Sequence, residues 1–205
     1  MHDETEEATA GNGAGTRAPS PRPAGRTANL LGATALAVTD LALTDASRAA
    51  GVSASGAAAL VALSAAPGLS VTELGRRVGL SQSAAARMVD SLEAGGLLER
   101  RPGPGRWVAV HLTATGTRTA EGLLAARSAP LTELVAVLDE KEREELDGLL
   151  AKLLTRLYAD VGSADLLCRL CDRKACVRGA VCPVGEAERC AGRAERDESE
   201  GPEGR

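Results

Sequence analysis

Five cysteines lie in the last quarter of this 205-residue chain, and four of them follow a tight pattern. Cys168, Cys171, Cys176 and Cys182 are spaced C-x2-C-x4-C-x5-C, with Pro183 directly after the last. Gaps this short let four thiolates converge on one centre. In a reducing compartment a clustered set more often binds metal than forms structural disulfides. Arg169, Arg173, Lys174 and Arg178 lie among the ligands, where their charge would lower thiol pKa values and offset a four-thiolate site. Zinc, an iron–sulfur cluster and a metal-free thiol switch all stay open, with zinc slightly favoured. Cys190 stands apart from the pattern and reads as an exposed thiol in a tail.

A second set of residues suited to chemistry runs from Ser70 to Thr113. Six arginines stand there against four acids, although the whole chain has a net charge of −4. The acidic excess sits in the two tails, before Asn29 and after Pro183, and it is local charge that sets attraction for phosphate. The elements that would position these arginines are legible. Ser70-Val71-Thr72-Glu73 has the form of a capping box, and Val71, Leu74 and Val78 share one face of a short helix that Gly79 can end. After a turn at Leu80, Ser81 is an N-cap for a second helix with Ala85, Met88, Val89 and Leu92 facing inward. That leaves Ser81, Gln82, Ser83, Ala86 and Arg87 facing out, until Gly95-Gly96 stops the helix. Leu97–Arg101 and Arg106–Leu112 read as strands joined by Pro102-Gly103-Pro104-Gly105, with Val108, Val110 and Leu112 alternating onto one face. The pattern is a winged helix-turn-helix, with a recognition helix suited to the major groove of double-stranded DNA. The candidate DNA contacts are Ser81, Gln82, Ser83, Ala86 and Arg87 on that helix, Arg76 and Arg77 on the helix before it, and Arg100, Arg101 and Arg106 on the wing.

The arrangement resembles the MarR family of bacterial transcription regulators. Leu74-Gly75-Arg76-Arg77-Val78-Gly79-Leu80-Ser81, then Arg87-Met88-Val89-Asp90-Ser91-Leu92-Glu93-Ala94-Gly95-Gly96-Leu97, and finally Leu112-Thr113-Ala114-Thr115-Gly116 carry the resemblance. It extends over residues 29–160. One departure stands at the wing, where the family's Asp-x-Arg unit is replaced by Pro104-Gly105-Arg106. The resemblance implies a mainly α fold with a small β wing. It also implies terminal helices that form a dimerisation region, and a homodimer on a palindromic operator. The cysteine spacing, for its part, is similar to a zinc knuckle with its His replaced by Cys. It is similar too to the cluster-binding run of redox-sensing MerR-type regulators.

The rest of the chain fits that frame. Aromatic residues make up 1% and Phe is absent, so Leu, Val and Ala must build the core, which favours packed helices. Four segments are expected: a disordered tail over 1–27, the winged domain with its flanking helices over 28–162, a cysteine module over 163–190, and a disordered acidic tail over 191–205. Helices are expected over Asn29–Ala50 and Ser55–Ala66, and after Thr113 a long helix that Pro130 should kink or interrupt. Asp139 and Glu142 start a further amphipathic helix carrying Leu146, Leu149, Leu150, Leu153, Leu154 and Leu157, the expected dimer contact. His111 reads as a surface residue of the wing, His2 as part of the tail, and Trp107 as core packing. No apolar run spans a bilayer and no signal-peptide order opens the chain, so a cytoplasmic regulator without enzymatic activity is expected. Two other classes remain: a protein-interaction adaptor with a structural zinc clip, and a thiol redox enzyme. No organic effector is identifiable.

Overall fold

The computed structural model describes residues 24–44, 50–103 and 107–199. Arg106 and His2, named above, lie outside them. The chain divides after Leu36. Most of helix α1 (Ala24–Thr39) belongs to the first unit, with Leu30, Leu31 and Leu36 exposed. The expected helix therefore begins earlier than Asn29, and it passes into a wider π-type turn at Asp40–Thr44.

The second unit is built around α2 (Ala54–Ala65), capped by Ser53 Oγ, which accepts from Gly56 N–H at 3.1 Å. Ala57, Ala58, Ala59, Leu60, Val61 and Leu63 are all buried, so this Ala-rich helix is covered nearly all round. Small side chains let neighbours approach closely, and α2 packs against α3 (Val71–Val78), α4 (Gln82–Ala94) and α5 (Ala114–Val135).

Between them lies a three-stranded antiparallel sheet of β1 (Leu69–Ser70), β2 (Leu98–Pro102) and β3 (Val108–Leu112), in the order β1-β3-β2. Leu69 stands opposite Val110, and Leu98 opposite Leu112. The two-residue strand β1 was not legible in the sequence, because such a strand has no periodicity of its own. The expected wing pattern is corrected as well: β3 buries the adjacent residues Ala109 and Val110, which point to opposite faces, while Val108 is exposed. Trp107 is also corrected: it is 41% exposed and lies against Gly103 across the wing rather than in the core.

Helix α5 opens at Thr113, whose Oγ1 accepts from Gly116 N–H at 3.0 Å and donates to the Gly96 carbonyl at 2.7 Å. This pins the helix to the base of the wing. The helix runs unbroken past Pro130, contrary to the interruption expected. One backbone bond is lost there, but Thr132 Oγ1 donates to the Ser128 carbonyl at 2.9 Å and the turns on either side hold. Helix α6 (Glu140–Val161) has the full capping box, Asp139 N–H to Glu142 and Glu142 N–H to Asp139, both at 2.9 Å.

Two short helices, α7 (Ala164–Leu167) and α8 (Arg173–Cys176), lead to α9 (Pro183–Ser199), which packs along α6 and buries Val184. The expected acidic tail from 191 is therefore helical through Ser199. Pro183 suits a first helical position, and Arg189 pairs with Glu186 at 2.6 Å one turn away. No described helix is long and apolar enough to cross a membrane.

Candidate nucleic-acid interface and cysteine cavity

The helix-turn-helix is set by three backbone devices. Ser70 Oγ accepts from Glu73 N–H at 3.1 Å, Gly79 closes α3 at φ 74°, and Ser81 Oγ caps α4 by accepting from Ala84 N–H at 3.4 Å. At the crossing, an added Cβ on Gly75 would lie 2.6 Å from Ala85 Cβ, so glycine is what lets α3 and α4 meet. Ala85, Met88, Val89 and Leu92 point into the core as expected. Ser81, Gln82, Ser83 and Arg87 are exposed and Ala86 half-buried, which leaves a polar outer face of small residues at the start of the helix. No hydrogen-bond or ion-pair partner among the described residues faces Arg87.

The other arginines are engaged. The Glu73 carboxylate does not complete a capping box. It takes Arg76 Nε and Nη2 at 2.8 Å each, and Arg77 Nε at 2.8 Å. Two guanidinium groups donating to it hold its pKa down at about 2, against partial desolvation. Arg76 is raised in turn, chiefly by Glu73. On the wing, Arg100 Nη2 donates to Asp90 at 2.6 Å, its backbone N–H donates to Glu93 at 3.1 Å, and its other guanidinium nitrogen bonds Glu93. These acids, Asp90 before Glu93, raise the Arg100 pKa against burial. Arg101 pairs with Glu99. Sequence reasoning counted these arginines but missed the acids beside them. The signal for Glu73 was present, since Glu73 precedes Arg76 and Arg77 by three and four positions on one helix face.

Cys168, Cys171, Cys176 and Cys182 all border one cavity of about 260 Å³, which Asp165, Arg173 and Arg189 also line. All are free thiols. Cys168 donates a hydrogen bond to Cys171, which raises the Cys168 pKa together with burial and lowers that of Cys171 to about 6. Arg127 of α5, Arg173 and Arg169 favour the Cys171 thiolate as well. Lys174 and Arg178, also expected to act on the thiols, are exposed. Burial raises Cys176, and the neighbouring Cys182 adds to the effect. Cys182 Sγ also accepts from Gly185 N–H at 3.5 Å at the start of α9. As the side chains stand, no three His, Cys, Asp or Glu groups among the described residues form a ready metal-binding set. The four cysteines therefore border a shared space as free thiols. Cys190 is exposed on α9, outside that cavity, with Arg193 Nη2 donating to its sulfur at 3.1 Å.

Residues 50–106 match the MarR family model. Among solved structures, the chain is similar to the YusO protein of Bacillus subtilis, at 26% identity over 63% of this chain and 92% of that one, with a TM-score of 0.57. It is also similar to MepR of Staphylococcus aureus, a transcription regulator of the multidrug efflux pump MepA, at 20% identity over 63% and 97% of the two chains and a TM-score of 0.56. A third likeness is to the Mycobacterium tuberculosis MarR-family protein Rv2887 in complex with DNA, at 27% identity over 64% and 97%, with a TM-score of 0.50. No curated protein matches the chain. The fold is that of the MarR winged-helix transcription regulators.

Proposed function

We propose that this MarR-type chain is a sequence-specific DNA-binding transcription regulator, acting as a homodimer on a palindromic operator. The observation that carries the reading is α4 itself. Its first turn presents Ser81, Gln82 and Ser83 to solvent, and Arg87 follows one turn later without a partner among the described residues. Small residues permit close approach to base edges, and Gln and Arg supply the donors that read them. Rv2887, of similar fold, is solved in complex with DNA, in keeping with this use of the fold. Binding-site selection from a random duplex pool, followed by salt titration, tests it. Arg87→Ala should weaken binding to the selected site. The salt slope should fall by about one unit if Arg87 holds a phosphate, or site preference should relax if it reads a base. Equal binding and equal selectivity in the variant would remove α4 from the interface.

We propose that the cysteine cavity takes a metal after its thiols draw together. Four thiols border one space, with arginines among them, and supply the soft donors that zinc or an iron–sulfur cluster prefers, although as they stand they do not form a coordinating set. Zinc is favoured, and its state would modulate DNA affinity. Cys168, Cys171, Cys176 and Cys182 would hold the metal as thiolates, and the cationic side chains would offset their charge. Metal analysis and an absorption spectrum of protein purified without oxygen distinguish zinc, a cluster and bare thiols.

A further inference from the structure

The cysteine segment is tied to the helix-turn-helix through one carboxylate. Asp165, in the first turn of α7, accepts from Arg173 through Oδ1 at 2.8 Å and from Arg76 through Oδ2 at 3.2 Å. Arg77 Nε lies 3.6 Å from the same Oδ2. The Asp165 side chain is 18% exposed, so this is a partly buried junction rather than a passing surface pair. Next to it Leu166 covers the turn between α3 and α4: a Cβ added to Gly79 would stand 3.0 Å from Leu166 Cδ1. Asp165 and Arg173 also line the cavity that the four cysteines border. The cavity and the DNA-binding element thus share a wall, and the shared group is an acid.

We propose that Asp165 is an internal stand-in for a DNA phosphate, through which the cysteine segment occupies Arg76 and Arg77 and withholds them from the backbone of bound DNA. The inference rests on the DNA-binding reading above. Glu73 and Asp165 are shared among three guanidinium groups, those of Arg76, Arg77 and Arg173. With Asp165 withdrawn, Arg76 and Arg77 keep Glu73 as their one acid partner among the described residues, and a net positive charge is left beside the turn that leads into the recognition helix. A phosphate oxygen offers those donors the same charge-assisted hydrogen bonds as a carboxylate, so docking of the segment and phosphate contact compete. Rearrangement of the cysteine cavity would move Arg173 and α7, and with them Asp165. Regulation of DNA affinity then needs no signal carried through the core.

The test is a salt titration on mixed-sequence duplex DNA, where phosphate contacts dominate and the operator need not be known. Asp165→Asn should bind roughly threefold to tenfold tighter at low salt, with a slope steeper by about one to two units. The same substitution in an Arg76→Ala/Arg77→Ala background should change nothing, which separates action through those arginines from a general structural effect. Cys171→Ser/Cys176→Ser should shift affinity in the same direction as Asp165→Asn. In the unmodified protein, adding duplex should raise amide hydrogen exchange across residues 164–176, a readout independent of any variant. Equal slopes for wild type and Asp165→Asn, a gain that persists without the arginines, or unchanged exchange over 164–176 each overturn the Asp165 proposal and leave DNA binding standing. Absence of duplex binding by wild type and Asp165→Asn alike overturns both readings.

Discussion

Arginine is the residue that matters most here, and its occurrences are not equivalent. Arg87 stands in solvent without a partner among the described residues, whereas Arg76, Arg77, Arg100 and Arg101 are each held by acids of the same chain. The acids were visible in the sequence, but only for Glu73 does helical spacing bring acid and base together. Asp90 and Glu93 reach Arg100 from α4 to β2, and Asp165 reaches Arg76 across 89 positions. Local periodicity carries no information about such pairs. Glu73 makes a prediction of its own. Its folded pKa, about 2, lies below the ordinary value of 4.5, so its stabilisation is fully present above about pH 4.5 and is lost as pH falls toward 2. Melting curves over that window should fall more steeply for the wild type than for Glu73→Gln. Parallel curves would show that the pairing with Arg76 and Arg77 contributes nothing to stability.

The elements are joined at places where only glycine fits. A Cβ on Gly116 would lie 2.0 Å from the Leu97 carbonyl oxygen, where the start of α5 rests on the base of the wing. Nothing lies within 4 Å of the Cβ position at Gly122, on the same helix. Two identical substitutions should therefore have opposite signs. Gly116→Ala should destabilise by about 1–3 kcal/mol or more through forced displacement of backbone, while Gly122→Ala should stabilise by about 0.5–1 kcal/mol as a better helix former. Denaturant titration of the two variants checks this, and destabilisation of equal size at both sites would contradict the close approach at Gly116. Helix caps were readable at this scale because they are local: Ser70, Ser81, Thr113 and Asp139 all cap where the residue types suggested. The continuity of α5 through Pro130 was not readable, because proline's local penalty is outweighed by bonded turns on both sides.

For the whole molecule, the proposed assembly rests on the leucines of α6. Leu149, Leu150, Leu153 and Leu157 are 42–57% exposed, and α6 has no buried residue at all within this chain. Leu146 and Leu154 are half-buried, so the expected stripe divides into a partly covered edge and an open face. A helix whose apolar face is left uncovered by the described residues suits a second copy, in accord with the proposed homodimer. Leu150→Glu should yield monomers or unfolded chain, since a glutamate buried opposite its symmetry mate is costly. Sedimentation velocity at micromolar concentration reads the outcome, and a monomeric wild type would remove both the dimer and the palindromic operator.

The winged helix-turn-helix follows from short-range rules: caps, glycine stops, apolar spacing and turn residues all act within a few positions. The sequence alone therefore determined the helices from α2 to α6, the outward polar face of α4 and the four-cysteine spacing. Tertiary structure decided which polar groups are left available. It added β1, so that β3 is paired along both edges; it made a helix, α9, of residues expected to end in a disordered tail, and brought Asp165 to the arginines of α3. Those outcomes depend on which distant surfaces meet. A charge is free or neutralised according to what stands within a few ångströms of it, and sequence order does not encode that distance.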